Sequence, residues 1–307
     1  MKKITALLLI IVSITTVVGL QSCKTAQNTT AAKMLKFNFE KGKGYDYEMI
    51  TNMDQEIMGQ SMQVDMAAYY SMDVAEDDGN MKTLTSIIDR FKMKMNVMGM
   101  NIDVDTENPS KVPTLGGLED GEKNPLEIVN RLFGAIKGQK FTMKVDAEGK
   151  VKEVTGFENM AKSIVDSMGL DGDEKEKMMK QFEGQFNAKS VQSQFDRFLY
   201  IFPNKEVKVG DTWQKNTDAT GQFEGKYIST YKVEEIEGDM VTLNEVTKIE
   251  SDNEKMKLTG DIKGTIVVDS KTGLVVNADQ DMEMNAEAEG MKFKVKGKTK
   301  IKGKARG

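Results

Sequence analysis

The sequence lacks histidine altogether and contains a single cysteine, Cys23, among its 307 residues. Without histidine there can be no Ser-His-Asp or Cys-His catalysis, no histidine-ligated metal site and no histidine general base. With one cysteine there can be no disulfide within the chain and no thiolate cluster around a metal. Any catalytic chemistry would therefore have to rest on Asp, Glu, Lys or Tyr side chains.

The chain also lacks an excess of positive charge and a second long apolar run. Its formal net charge is −5 and its mean hydropathy is −0.46. This acidic balance disfavours nucleic acid and anionic lipid head groups as main partners, since both bind basic surfaces. The acidic clusters at 171–174 and 251–254 do not have the spacing of a calcium loop. We therefore predict a soluble body with no nucleic acid, no cofactor and no metal site.

Residues 1–22 have the features of a secretory signal peptide. Two lysines precede an apolar run from Ala6 to Leu20. A run of about 15 residues is too short for a membrane span, which needs about 20. It ends in Leu20-Gln21-Ser22-Cys23, which resembles the lipobox of bacterial lipoproteins. Gln21 stands where most lipoboxes have a small or aliphatic residue, a departure that resembles the lipoproteins of the Bacteroidota.

The lipobox resemblance implies that Cys23 carries a diacylglyceryl group and becomes the N-terminus of the mature chain. Removal of residues 1–22 also removes Lys2 and Lys3, so the formal net charge falls from −5 to −7. Residues 23–36 are polar, and we expect them to form a lipidated tether, although a frayed domain terminus would have the same composition. The expected location is the cell envelope, on the outer membrane and facing the periplasm.

Most of the remaining chain alternates apolar and polar residues, which is the period of β-strands. The apolar face lies on odd-numbered residues from Tyr45 and passes to even numbers after Met58-Gly59, starting at Met62. A two-residue turn there keeps both sets on one side of the sheet, because paired residues then sum to an odd number. A later phase change at Gly99 predicts a bulge or a tight turn. The strands are about 13–17 residues long, above the usual five or six, which indicates a large curved sheet.

Four stretches between residues 125 and 203 have the period of amphipathic helices. The clearest runs from Phe157 to Met168, and the others start at Pro125, Asp173 and Ser190. The predicted fold is α+β and β-rich, with long antiparallel strands in curved sheets or an open barrel that a few amphipathic helices cover. The predicted domains are an N-terminal β half with a helical insert, 37–203, and a C-terminal antiparallel β half, 204–307.

The two halves share an order of short motifs. Gly42-Lys-Gly-Tyr45 corresponds to Gly210-Asp-Thr-Trp213, and residues 77–84 correspond to 236–243. The spacing between the motifs differs from one half to the other, and hairpin sequences recur by chance. Both a true duplication and a chance similarity are therefore kept as interpretations.

Lysines alternate along the last strand, from Lys292 to Lys302, and acidic residues alternate along the strand before it. A two-residue turn at Glu289-Gly290 pairs residues whose numbers add up to 579, so that Glu283 faces Lys296 and Asp279 faces Lys300. Each exposed pair contributes about 0.2–1 kcal/mol, and together they fix the strand register. We interpret this ladder as a register device rather than as a site for an anionic surface or polymer.

The 23 methionines are unusual. Pairs such as Met93-Lys-Met95 and Met282-Glu-Met284 resemble the thioether spacing of Cu(I) or Ag(I) carriers. The alternative, which we favour, is packing: methionine on alternate strand positions lines a plastic apolar face that accepts irregular ligands. The candidate contacts for an apolar ligand are Met66, Tyr70, Met93, Met95, Met100, Met282 and Met284.

Nearly the whole mature chain resembles an uncharacterised lipoprotein family of the Bacteroidota. Besides the lipobox, the resemblance rests on Gly42-Lys-Gly-Tyr45, Phe202-Pro203 with the following Val207-Lys-Val-Gly-Asp-Thr-Trp213, and Thr272-Gly-Leu-Val275. The family implies no known activity. By fold-level analogy alone, the pattern is similar to envelope lipoprotein carriers with a curved antiparallel sheet closed by helices.

Three functional hypotheses follow from these patterns. The leading one is a non-enzymatic envelope lipoprotein that binds lipid or another apolar molecule in a Met- and aromatic-lined sheet, beneath the helices of residues 157–202. The second is a structural or interaction protein whose partners are other envelope proteins. The third is a hydrolase that uses Asp103, Asp105 and Glu107, against which the single tryptophan argues, because sugar-binding clefts usually stack aromatic rings on the substrate.

Overall fold

A computed structural model of the chain describes residues 32–57, 60–97, 100–108, 131, 134–185, 187–220, 224–252, 257–288 and 291–307. Strands make up 65% of the residues and helices 15%, which confirms the β-rich prediction. The signal peptide, Cys23 and most of the expected tether lie outside the described residues. Within the described part, no helix is both long enough and apolar enough to span a membrane.

Fourteen strands and three helices have defined bounds in this part of the chain. The strands are β1 (Lys33–Leu35), β2 (Gly44–Ile57), β3 (Gln60–Asp77), β4 (Met81–Val97), β5 (Met100–Asp105), β6 (Lys140–Asp146), β7 (Val151–Thr155), β8 (Lys205–Val207), β9 (Thr212–Ala219), β10 (Gly225–Glu237), β11 (Met240–Asp252), β12 (Lys257–Asp269), β13 (Leu274–Ala288) and β14 (Met291–Arg306). The helices are α1 (Phe157–Ser167), α2 (Gly172–Gln185) and α3 (Ala188–Leu199).

Twelve of the described strands form one antiparallel sheet. Its order is β7-β6-β4-β3-β2-β14-β13-β12-β11-β10-β9, and β5 pairs with β4 beyond the end of β6. Strands from the two predicted halves meet at β2 and β14, which pair from Gly44–Arg306 to Ile57–Phe293. The remaining two strands, β1 and β8, form a small separate sheet. The large sheet is not closed into a barrel.

The two edge strands of the large sheet, β7 and β9, approach each other without pairing, and we call the gap between them the seam. Helix α3 lies along it: the Val151 N–H of β7 donates to Oδ1 of Asp196 at 2.7 Å. From the other edge, Nζ of Lys215 lies 3.1 Å from Oε2 of Glu148, in the turn between β6 and β7. The sheet therefore curls until its edges nearly meet, which makes its inner face concave.

The strand registers confirm the pairing predicted from the sequence. Ile57 faces Gln60, as a two-residue turn requires. Val97 faces Met100, so the phase change at Gly99 marks a hairpin. In the ladder, Glu283 faces Lys296 and Asp279 faces Lys300. Their side chains form exposed ion pairs, with Nζ of Lys296 2.9 Å from Oε1 of Glu283.

Several element boundaries differ from the prediction. Helix α3 begins at Ala188 rather than Ser190, because Asn187 and Ser190 form a reciprocal capping box. The tether expected over residues 23–36 ends earlier, since Lys33–Leu35 pair with β8 and Leu35 is fully buried. Of the helix predicted from Pro125, residues 125–130 lie outside the described residues, and 134–136 are helical.

The turns that precede β2 and β9 have the same backbone hydrogen bonds. The Gly42 N–H donates to the Val74 carbonyl at 2.9 Å, and the Gly210 N–H donates to the Val233 carbonyl at 2.8 Å. Both glycines have positive φ, 77° and 90°, which favours glycine at each position. The predicted correspondence between these two motifs therefore extends to their backbone geometry, while a duplication of the whole halves stays a prediction.

Candidate functional site

The concave face is the side of the sheet on which α3 packs. The ring of Phe195 lies 5.6 Å from that of Phe141 and 6.4 Å from that of Tyr70. Phe198 packs edge-on against Tyr47 at 4.7 Å. These contacts belong to the main hydrophobic core, which fills the concave face near the helices. The helices thus cover one end of the concave face.

Two smaller apolar clusters lie on the concave face toward the hairpin ends that point away from the main core. One is centred on β10–β14 and contains Tyr227, Ile249, Leu258, Met284 and Val295. The other is centred on β3–β5 and contains Val64, Met93 and Val104. Both are bordered by side chains that are only partly buried, so this end of the face is more open.

Five of the partly buried border residues lie on strands β4, β3, β2, β13 and β12, and we call the surface that they form the methionine patch. It consists of Met53, Met66, Met95, Ile262 and Met282. Gly297 on β14 joins its two sides: a Cβ there would lie 3.0 Å from Cε of Met282 and 3.5 Å from Cγ of Met53. Since glycine has no side chain, methionines from β13 and β2 meet across β14.

The structure places six of the seven predicted ligand contacts, in three environments. Met66, Met95 and Met282 belong to the methionine patch. Met93 and Met284 are 7% and 2% exposed and act as core residues beside it. Tyr70 packs on the main core against Phe195. Met100 faces Val97 in the backbone register, and its side chain lies outside the described set.

Sequence reasoning missed a polar row that crosses the concave face next to the patch. By register, Glu245, Gln280, Thr299 and Thr51 occupy one line from β11 to β2, with Gly264 between the first two. Oγ1 of Thr51 and Oγ1 of Thr299 are 3.1 Å apart. The available signal was a charged residue at an inward position of the alternation that carries the apolar Val241, Leu243 and Ile249.

Glu245 is the buried end of this row, with 5% exposure. The Thr247 hydroxyl donates to its Oε1 at 2.8 Å, and the Gln280 amide donates to its Oε2. Gln280 reaches Glu245 across Gly264, where a Cβ would lie 2.9 Å from Cγ of Gln280. Burial raises the pKa of the Glu245 carboxyl, while the two hydrogen bonds and the Arg197 charge lower it.

The three carboxylates of the hydrolase hypothesis, Asp103, Asp105 and Glu107, form ion pairs with basic side chains. Arg90 holds Asp105 through Nε at 3.0 Å and Nη2 at 2.6 Å, and its Nη1 lies 2.8 Å from Glu107. Asp103 lies 3.6 Å from Nζ of Lys94. The Arg90 guanidinium holds the pKa of Asp105 well below its usual range. Within the described residues, no three Asp, Glu, Cys or His side chains are grouped as a metal site.

Comparison with known proteins gives a family but no activity. The model of a family described as "Family of unknown function (DUF6263)" matches residues 79–275. No curated protein sequence matches the chain.

Three solved structures align with most of this chain at low sequence identity and low TM-score. The structure titled "Lipid-protein interactions in lipovitellin" is 11% identical with a TM-score of 0.46, covering 88% of this chain and 26% of that one, so the chain spans about a quarter of its length. Omp33 of Acinetobacter baumannii is 6% identical with a TM-score of 0.16, and the alignment covers 84% of this chain and 99% of that one. OccK7 (OpdD) of Pseudomonas aeruginosa is 5% identical, TM-score 0.18, with 87% and 99% covered. Similarities this distant assign no function.

Proposed function

The chain belongs to a family of unknown function, DUF6263, and we propose that it is a non-enzymatic lipoprotein of the cell envelope that binds an apolar molecule over the methionine patch. The observation that carries this proposal is the partial exposure of Met53, Met66, Met95 and Met282 on a concave face. Apolar side chains gathered in a concave, partly open surface are typical of ligand sites. Methionine adapts its shape to irregular ligands.

The non-enzymatic part of the proposal is supported by the pairing of the acidic side chains. Asp105 and Glu107 share Arg90, and Asp103 lies beside Lys94. An ion-paired carboxylate with a lowered pKa is a poor general acid or base near neutral pH. Glu245, the buried carboxylate of the polar row, has both oxygens engaged by Thr247 and Gln280.

Binding of an apolar fluorophore tests the ligand site. The mature protein should enhance the fluorescence of N-phenyl-1-naphthylamine, and Met282→Lys should weaken its binding at least about tenfold, because an ammonium replaces apolar contact across Gly297. Met240→Lys is the control, since Met240 is 39% exposed at the start of β11, away from the patch. Equal weakening by both variants contradicts the proposal. A wild-type protein that binds no probe would favour an interaction protein instead.

The membrane anchor is supported by the N-terminal sequence. A basic start, an apolar run and Leu20-Gln21-Ser22-Cys23 predict processing at Cys23 and attachment of a diacylglyceryl group. Two or three acyl chains give stable membrane binding, where a single chain gives only reversible binding. The protein would then sit on the outer membrane with its folded part in the periplasm.

Metabolic labelling with an alkyne fatty acid tests the anchor. The wild-type chain should incorporate the label and sediment with membranes, whereas Cys23→Ala should lose all label and stay uncleaved. Gln27→Ala, four residues along the tether, should behave as wild type. Label that persists in Cys23→Ala would contradict lipidation at this residue, and sucrose-gradient fractionation would show which membrane holds the protein.

A further inference from the structure

Arg197 presents a cation to the concave face from the inner side of α3. Its guanidinium carbon lies 4.8 Å from the ring centre of Tyr227, a concave-face residue that is 2% exposed. The Arg197 side chain itself is exposed. Stacking on an aromatic ring and a side-chain hydrogen bond with Tyr227 hold the guanidinium in place, and a guanidinium has five N–H donors in all.

The charge of Arg197 has no carboxylate partner among the residues that the structure describes. Arg90 is paired with Asp105, and Arg306 is paired with Asp46 and Asp73. For Arg197, no Asp or Glu oxygen of the described chain lies within the 4.0 Å that defines an ion pair. The planar fork of a guanidinium is suited to bidentate binding of an oxyanion, either carboxylate or phosphate.

The carboxylate of Glu245, on the sheet, interacts electrostatically with Arg197. Glu245 is buried, whereas Arg197 is exposed. Its side chain is 5% exposed, and both of its oxygens already accept hydrogen bonds, from Thr247 and Gln280. The charge that this part of the concave face offers to a ligand is therefore positive. The chain as a whole is acidic, so it does not attract an anionic ligand at long range. Recognition of an anion here would therefore depend on the direct contact with Arg197.

A line of buried apolar residues runs from beneath Arg197 toward the methionine patch, and the partly exposed Ile262 and Met282 lie beside it. By register, Tyr227 on β10 is in line with Ile249, Gly260, Met284 and Val295 on successive strands. From Tyr227 on β10 to Met284 on β13 there are three strand spacings of about 4.8 Å, or about 14 Å, a distance that a twelve-carbon chain spans. The patch borders this line through Met282 and Met53.

We propose that the ligand is an amphiphile with a single oxyanion head, which binds Arg197, while its alkyl chain lies over the methionine patch. This inference rests on the proposed function and adds the chemical class of the ligand. The neutral polar row beside the patch, with Gln280, Thr299 and Thr51, would supply hydrogen bonds to the part of the ligand next to its head.

Competition for bound N-phenyl-1-naphthylamine tests this inference with four ligands of one chain length: laurate, dodecyl phosphate, dodecanol and dodecyltrimethylammonium, all below their micelle concentrations. At least one of the two anions should displace the probe at about tenfold lower concentration than the alcohol and the cation, since a charge-assisted pair is about twice as strong as a neutral hydrogen bond. Displacement by laurate alone or by the phosphate alone identifies which oxyanion is recognised.

Three variants locate the head-group contact. Arg197→Gln should abolish the preference, so that dodecanol and the anions displace the probe at similar concentrations, whereas Arg197→Lys should keep part of the preference. Lys189→Gln, an exposed cation on the same helix, should behave as wild type. Equal effects of Arg197→Gln and Lys189→Gln would overturn the inference, because the preference would then reflect overall charge.

The failure of this inference differs from the failure of the proposed function. If the wild-type protein binds the probe but the alcohol or the cation competes as well as both anions, an apolar site exists and the oxyanion head is wrong. If the wild-type protein binds neither the probe nor any of the four ligands, the proposed function and this inference are both overturned. Far-ultraviolet circular dichroism confirms that each variant is folded.

Discussion

Replacing Gly149 by alanine should lower the free energy of unfolding by about 3–4 kcal/mol. This large loss is expected although the substitution removes no side-chain contact. Gly149 lies in the turn between β6 and β7 with φ of +88°, a conformation that side chains rarely adopt. A Cβ there would lie 2.1 Å from the carbonyl oxygen of Leu199, the last residue of α3. The backbone of the turn and the end of the helix would have to separate.

Gly79→Ala is the matched control for this substitution. Gly79 lies in the turn between β3 and β4 with φ of +90°, and a Cβ there would meet no atom within 4 Å. Alanine at this position should lose about 1–2 kcal/mol from the positive φ alone. The difference between the two variants in urea unfolding then isolates the contact of the turn with α3. Equal losses would show that the end of α3 moves away at no cost.

The Gly149 variant should also open the seam locally. Moving the turn away from Leu199 pulls on the neighbouring bond from the Val151 N–H to Asp196, which holds β7 to α3. Hydrogen exchange of the Val151 amide should therefore be faster in Gly149→Ala than in Gly79→Ala, when the two variants are compared at denaturant concentrations that give them the same free energy of global unfolding. If the exchange rate of the Val151 amide is the same in both variants, the loss of stability in Gly149→Ala arises in the turn itself and not at the seam.

The pairing of neighbouring strands could be predicted from the sequence because it depends on local rules. Alternation with period two fixes which residues share a face, and a two-residue turn fixes their register, as at Ile57–Gln60. The lysine ladder followed from the same rule, with Asp279 opposite Lys300. Helix α1 was predicted from its apolar period, because Ile164 and Val165 are buried on one side of it.

The approach of the two sheet edges and the polar row could not be predicted in this way. At the seam, Glu148 in the turn before β7 contacts Lys215 on β9, two residues far apart in sequence, so no periodicity of the sequence indicates the contact. Gly264 and Gly297 are glycines in the interior of strands, and only the register across three strands shows that long side chains pass over them. Arg197 is one of three charged residues on α3, and only the fold shows that its guanidinium lies over Tyr227 on β10.

Replacing Gln280 by leucine should destabilise the protein by about 2–3 kcal/mol at pH 8, because it removes a hydrogen bond to a buried charge. The Gln280 amide donates to Oε2 of Glu245 across Gly264, and Glu245 is 5% exposed. Leucine has a similar volume and no donor. The carboxylate would keep Thr247 as its remaining donor, with the Arg197 charge facing it at longer range.

The cost of Gln280→Leu should grow as the pH rises. Burial raises the folded-state pKa of Glu245 above its unfolded value near 4.3–4.5, so this group contributes most stability below that value and loses it as the pH rises through the folded pKa. The hydrogen bond from Gln280 lowers the folded pKa, so its removal moves the loss to higher pH and makes it larger. Urea unfolding from pH 4 to pH 8 should show the curves of the variant and the wild type diverging.

Two further variants separate the buried charge from a general effect of leucine. Gln63→Leu removes a similar bond, from Nε2 of Gln63 to Asp54 at 2.9 Å, on the exposed side of the sheet, and should change stability by less than about 0.5 kcal/mol at any pH. Glu245→Leu combined with Gln280→Leu should cost less at pH 8 than Gln280→Leu alone, because no unpaired charge is left inside. A pH-independent cost, or a double variant that is less stable than the single one, would show that Glu245 is not the charge that Gln280 serves.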